Sequence, residues 1–192
     1  YDNAGRLIEV IGYPQNKRTC LTHFEYDLVG RLIRETDSQG SSTEIVYEDG
    51  FVNEWGQRVL KKVTTDPLGN KTEEVFDPLG NLISTIKKDA SGKRLSSTHR
   101  FFDAYGNETS QNSAAIDLIG TPKSYVSRPT YLPGSHLPQM HVAADSPEER
   151  VTQFTYYNYG DLSTKQESGE TSPITYEYNN KGNLVKILCH EE

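Results

Sequence analysis

Two stretches place a carboxylate where it could do chemistry: Asp66-Pro67-Leu68-Gly69 and Asp77-Pro78-Leu79-Gly80. Two nearby carboxylates that share a proton can act as acid and base and cut a peptide bond. The same residues are also strong turn formers. An Asp side chain accepts hydrogen bonds from the backbone two residues on, Pro presets φ, and Gly takes a positive φ at no steric cost. That turn chemistry is a sufficient account of both stretches, and Asn70 and Asn81 follow the Gly as they do in the chain's other repeats.

The remaining reactive residues are scattered. Cys20 and His23 are three apart, Cys189 and His190 are adjacent, and His99, His136 and His141 stand alone. None has the paired Cys and His spacing of a zinc site, and a Cys–His nucleophile would need the fold to assemble it. Two cysteines do not make a disulfide framework. No Gly-rich phosphate loop and no Gly-x-Ser-x-Gly elbow is present. The expectation is therefore no catalytic residue, no metal and no cofactor. Tyr156, Tyr157 and Tyr159 form the densest aromatic group. Such rings can stack on sugars or anchor a partner, although repeat tyrosines more often pack on the neighbouring turn. Asn107-Glu108-Thr109 has the pattern of an N-glycosylation acceptor.

The elements that carry these residues announce themselves by repetition. Asp or Asn, two variable residues and Gly recur at Asp2–Gly5, Asp27–Gly30, Asp37–Gly40, Asn53–Gly56, Asp66–Gly69, Asp77–Gly80, Asp89–Gly92, Asp103–Gly106 and Asn179–Gly182. From Gly30 to Gly106 the glycines step by 10, 16, 13, 11, 12 and 14 residues. One strand and one turn fill such a step, as in a β-meander. Strands are expected at 31–36, 42–47, 58–64, 71–76, 81–87 and 94–102, and again at 151–157 and 174–178. Residues 110–150 hold five of the nine prolines and read as an irregular insertion without regular strand pairing. Within it, Ser146-Pro147-Glu148-Glu149-Arg150 has the residues to open one helical turn. The expected organisation is a meander over 1–109, the Pro-rich insertion over 110–150, and the meander resumed over 151–192.

Composition agrees. The hydrophobic share is only 34%, but 12 Tyr and 6 Phe suit a pleated sheet surface better than a thick core. A net charge of −7 argues against nucleic acid, which needs a basic footprint. Lys61-Lys62 and Lys87-Lys88 are the longest basic clusters and are expected on solvated strand faces. No apolar run approaches the ~18 residues of a membrane-spanning helix. The chain opens at Tyr1 inside a repeat, which reads as a segment of a larger protein.

The copies Tyr1-Asp2-Asn3-Ala4-Gly5-Arg6-Leu7-Ile8, Tyr26-Asp27-Leu28-Val29-Gly30-Arg31-Leu32-Ile33 and Tyr178-Asn179-Asn180-Lys181-Gly182-Asn183-Leu184-Val185 closely resemble the YD repeat of RHS-repeat proteins. The resemblance covers roughly residues 1–109 and 151–188. It implies an all-β fold, an antiparallel β-meander strip forming part of a hollow RHS-type shell. Such shells enclose a toxin or effector region in bacterial polymorphic toxins and toxin complexes, and a similar barrel supports adhesion in teneurins. The family's self-cleaving aspartyl motif resembles the Asp-Pro-x-Gly stretches at Asp66 and Asp77.

The leading expectation is a structural, non-enzymatic shell segment. Its partners would be the rest of its parent chain and an enclosed toxin or effector, and its setting secreted or cell-surface. Its determinant residues are the turn set Asp2, Gly5, Asp27, Gly30, Asp66, Gly69, Asp77, Gly80, Asp103, Gly106, Asn179 and Gly182. One alternative is a module that binds a glycan or a cell-surface protein through the 110–150 insertion. Another is a self-processing aspartyl protease segment.

Overall fold

The computed structural model describes residues 1–12, 19–116, 120–145 and 148–189. Among them are fifteen strands and no helix: β1 Glu9–Gly12, β2 Thr19–Tyr26, β3 Leu32–Asp37, β4 Ser42–Val52, β5 Arg58–Thr65, β6 Lys71–Phe76, β7 Leu82–Lys88, β8 Arg94–Phe102, β9 Glu108–Ile116, β10 Pro122–Tyr131, β11 Pro138–Asp145, β12 Glu148–Tyr156, β13 Leu162–Glu167, β14 Ile174–Tyr178 and β15 Leu184–Leu188. Strand order in the sheet is chain order, and the ladders between described residues are antiparallel. This is the all-β meander that the spacing of the turns implies. The expected strands at 71–76, 94–102 and 174–178 have the observed bounds, and the others differ by one to five residues at an end.

The chain divides into two compact units, Tyr1–Ser97 and Thr98–Glu192. In the first, the apolar interior is meagre: Val59 and Ile83 are buried, together with the polar Asn53 and Ser97. Charged pairs across the strands do part of the packing. Arg34 on β3 bonds Glu44 on β4 at 2.7 Å and lies 3.5 Å from Glu25 on β2. Lys62 pairs with Glu74 across β5 and β6 at 2.9 Å. Glu73 on β6 takes both Lys61 and Lys88. The lysines expected on solvated faces at 61, 62 and 88 are thus half-buried ion-pair partners, and their long stems cover apolar surface while the charge finds a carboxylate.

In the second unit, Val142 is the buried aliphatic residue and Asn107 the buried polar one. Here the structure corrects the expectation for 110–150. Its described residues lie largely in β9, β10, β11 and the start of β12, with β10 in register from Pro122↔Ile116 to Ser127↔Gln111 on one side and from Tyr125↔Asp145 to Tyr131↔Pro138 on the other. The prolines sit where a strand tolerates them. Pro122 and Pro138 are first residues of their strands, Pro133 is in the turn between β10 and β11, and Pro129 lies past Ser127, the last β10 residue in register with β9. Of the expected helical turn, Ser146 and Pro147 lie outside the described residues. Glu148, Glu149 and Arg150 are strand, paired with Asp145, Ala144 and Ala143.

Positive φ marks the turns. Gly80 has φ 91 and open space where a Cβ would go. A side chain there meets no steric contact, so its cost is the backbone conformation alone, roughly 1–2 kcal/mol. Gly80→Val is therefore expected to lower the thermal midpoint by several degrees and to leave the β-signal intact. Gly80→Asn should lose less, because Asn tolerates the left-handed region. An unchanged midpoint in Gly80→Val would contradict this account of the turn.

Candidate functional site

The site that recurs is the turn itself. In Asp27–Arg31 the Asp27 N–H donates to the Arg31 carbonyl at 2.9 Å, and the Gly30 N–H donates to the Asp27 carbonyl at 3.1 Å. Asp27 Oδ1 accepts from Val29 N and Arg31 N at 3.0 and 2.8 Å, while Oδ2 accepts from Arg31 Nε at 2.8 Å. The same frame is built at Asp2, Asp37, Asn53, Asp66, Asp77, Asp89, Asp103 and Asn179. Gly5, Gly30, Gly69, Gly80, Gly106 and Gly182 all have positive φ. One short side chain thus satisfies two backbone N–H groups that a hairpin tip would otherwise leave to water.

The fifth residue of the turn completes the pairing. It presents a donor to the second carboxylate oxygen in Arg6, Arg31, Asn70, Asn81 and Asn107. Where Asn53 heads the turn, the polarity reverses and Asn53 Nδ2 donates to Gln57 Oε1 at 3.1 Å.

The turns alternate between the two ends of the strands, and in each unit one end carries the aromatics. In the first unit Tyr1, Tyr26 and Phe76 precede turns at one end, with Val52 in the corresponding place, whereas Thr36, Thr65 and Lys88 precede those at the other. In the second unit the series is Phe102, Tyr131, Tyr156 and Tyr178. That position returns after 25, 26 and 24 residues in the first unit, aromatic at Tyr1, Tyr26 and Phe76 and aliphatic at Val52. The repeating unit is therefore a two-stranded hairpin, and the single-strand step read from the glycines is half of it.

Those aromatics tie one hairpin to the preceding one. Tyr26 Oη donates to the Leu7 carbonyl at 2.8 Å, Tyr131 Oη to Glu108 at 3.0 Å and Tyr156 Oη to Pro138 at 2.7 Å. Burial pushes the Tyr131 and Tyr156 phenols up. Arg6 and Arg31 add a cation over the next hairpin's ring, 5.0 Å from the Tyr26 centroid and 4.3 Å from that of Tyr47.

This geometry disposes of several candidate sites. Asp66 heads the β5–β6 turn and Asp77 the β6–β7 turn, at opposite ends of the six-residue strand β6. Six residues of strand put roughly 20 Å between them, so they do not form a proton-sharing pair. Asp66 is also held below the usual carboxylate range, first by the Asn70 side-chain amide and then, against burial, by backbone N–H groups. Asn107 is 5% exposed. Its Nδ2 donates to Asp103 Oδ2 at 3.1 Å and to the Ser135 carbonyl at 3.0 Å, so the folded chain does not offer it for glycosylation. Its Oδ1 faces His136 Nδ1 at 2.5 Å, which puts the proton on Nδ1.

His141 Nε2 lies 2.6 Å from Ser127 Oγ. His23 and His99 sit on β2 and β8, and His190 and the Cys20 side chain lie outside the described residues. Cys189 is an exposed free thiol. Among the described residues no group of His, Cys, Asp or Glu could hold a metal, and no helix is long and apolar enough to cross a membrane.

A meander of hairpins, most headed by this turn and several latched by an aromatic, defines a β-repeat array. Residues 1–43 of it match the family model described as RHS Repeat. No curated protein sequence matches the chain. Among solved structures, the crystal structure of TcdB2-TccC3 is similar over 100% of this chain at 16% identity and a TM-score of 0.61, which shows the shared fold. This chain spans only 11% of that one. A Photorhabdus luminescens Tc holotoxin pore structure (12% identity, 86% of this chain, 13% of that chain) and a porin-like protein from Bacteroides uniformis (13% identity, 87% and 85%) both have TM-scores of 0.29 and carry no argument.

The turn carboxylates predict an acid limit to stability. Asp2 is lowered first by the Arg6 backbone N–H, Asp89 by the Ser91 hydroxyl and Asp103 by the Asn107 backbone N–H. In Asp27 burial raises the value, but the Arg31 backbone and guanidinium outweigh it. Folded values below unfolded ones mean stabilisation that is complete above the unfolded value near pH 4 and lost as pH falls through the folded value. The thermal midpoint should hold steady from neutrality down to about pH 5 and fall below about pH 4. Asp66→Asn with Asp103→Asn should shrink the acid-side fall; an acid limb identical to wild type would count against the turns as its source.

Proposed function

We propose that this segment is a piece of the wall of an RHS-type shell, without enzymatic activity of its own, and that the shell encloses a toxin or effector part of the same longer polypeptide. The observation that carries the reading is where the polar side chains go. The carboxylates and amides that could have done chemistry are spent on turn backbone, and the tyrosine hydroxyls at 26, 131 and 156 on preceding hairpins.

Surface character supports it. In the first unit Leu28, Val29, Trp55, Leu68 and Leu79 are exposed at turn tips, and in the second Leu184, Val185 and Ile187 are exposed on β15. Exposed apolar rows are typical of surfaces that other polypeptide covers. The whole-chain likeness to TcdB2-TccC3 supports a wall of this construction.

The test uses the complete polypeptide that carries these repeats. Its enclosed region should resist a protease that rapidly cuts the same region expressed alone. Equal cleavage with and without the repeats would overturn enclosure. In parallel, the 192-residue chain should keep its intact mass on prolonged incubation; fragments that disappear in Asp66→Asn or Asp77→Asn would overturn the non-enzymatic reading.

A further inference from the structure

One hairpin in the second unit departs from the scheme at its head and fifth residues. Its turn is Tyr157-Asn158-Tyr159-Gly160-Asp161, with the usual backbone frame: Tyr157 N–H to the Asp161 carbonyl at 2.9 Å and Gly160 N–H to the Tyr157 carbonyl at 2.9 Å. The head residue, Asp or Asn in the nine turns described above, is Tyr157. The fifth residue, Arg in the turn at Asp2–Arg6, is Asp161. Two strands further on, at the same strand ends, stands the next turn of this series, Asn179–Asn183, preceded by Tyr178. Between the two turns is a cleft of about 790 Å³, lined by Tyr157, Tyr159, Asp161, Glu177, Tyr178 and Asn179 with neighbouring turn residues. That is within the usual size of small-ligand sites.

The corresponding place in the first unit shows what this geometry holds. Arg6, the counterpart of Asp161, lies with Cζ 5.0 Å from the ring centroid of Tyr26, the counterpart of Tyr178. Its Nη1 reaches the carbonyl of Asp27, the counterpart of Asn179, at 3.3 Å. Its Nε meets the carboxylate of Asp2, the counterpart of Tyr157, at 2.6 Å. A guanidinium thus stacks on a tyrosine, donates to a turn carbonyl and pairs with an acid. In the Tyr157–Asn183 hairpin the tyrosine and the turn carbonyl are kept, and the chain supplies an acid where the guanidinium stood.

The walls suit a planar cation. Tyr157 and Tyr178 meet at 87° with centroids 6.2 Å apart, and the Tyr157 hydroxyl is anchored on the Tyr176 carbonyl at 3.1 Å, so the corner is fixed. Tyr159 is 85% exposed and free to close over a ligand. Neither Asp161 nor Glu177 has a side-chain hydrogen bond or ion pair among the described residues, and no Lys or Arg lines the cleft. Lys181 lies in the Asn179–Asn183 turn and Lys186 stands opposite Glu177 in register, and among the described residues neither forms an ion pair with Asp161 or Glu177. Aromatic faces attract cations, and Arg presents a flat fork that can stack and donate to carboxylate and carbonyl together.

We propose that this cleft binds a guanidinium group, supplied by an arginine side chain of another polypeptide segment. The proposal is independent of enclosure, since it rests on the internal comparison between two hairpins of one chain.

The test titrates the full chain with N-acetyl-arginine amide and with its neutral isostere N-acetyl-citrulline amide, following tyrosine ring resonances. The arginine probe should saturate, and citrulline should bind at least about tenfold more weakly. Asp161→Arg, which restores the Arg6 arrangement, should cut affinity by about tenfold or more with an undiminished thermal midpoint. Tyr159→Ala, at an exposed tip, should weaken binding without unfolding. A Gly-Arg-Gly peptide should bind more tightly than free arginine. Equal binding of citrulline, tighter binding of glucose, wild-type affinity in Asp161→Arg, or no saturation by the arginine probe would each overturn the site. Preference for free arginine over the peptide would overturn the polypeptide source.

Discussion

A hairpin tip forces backbone N–H groups out of the ladder, and in a sheet this thin almost no interior exists to offset the loss. The short Asp or Asn side chain at the head of nine of the turns meets that constraint by accepting two of those N–H groups with one oxygen, as Asp66 does from Leu68 and Asn70. The positive φ of the following Gly closes the frame. Everything else is placed by it: the start of the next strand, the fifth residue beside the carboxylate, and the aromatic that reaches back to the preceding hairpin.

Stability is accordingly distributed. Among the described residues three aliphatic side chains, Val59, Ile83 and Val142, are buried, and the other apolar side chains are half-covered by neighbouring strands or exposed. Each hairpin brings a turn frame, a pair of ladders and, in many copies, a latch or a stacked cation. Repeat arrays of this kind sum local terms and nearest-neighbour interfaces. Ion pairs such as Arg34 with Glu25 and Glu44 add little singly at partly exposed sites, but they let polar strands lie side by side without mismatch.

Much of this was legible in the sequence, because turn chemistry is local. Asp, Pro and Gly at fixed offsets state their own φ and their own hydrogen bonds, so strand limits followed to within a few residues. Three features were hidden for physical reasons. The prolines of 110–150 read as breakers because sequence does not say which N–H groups a ladder needs; Pro122, Pro129 and Pro138 occupy places where none is missed. The hairpin period escaped because glycine marks every turn, whereas the aromatic at Tyr26, Phe76, Phe102, Tyr131, Tyr156 and Tyr178 marks every second one. The distance between Asp66 and Asp77 was likewise invisible until β6 was seen to separate them.

Residue-resolved native-state hydrogen exchange on the whole chain tests most directly whether the turns, and not a core, hold the array. The N–H groups of Arg31, Asn70, Asn81 and Asn107, each bonded to the head residue of its turn, should be protected to the same degree as the strands they join. Exchange at those four positions as fast as in an unstructured peptide, with protection confined to the strands around Val59, Ile83 and Val142, would contradict the account.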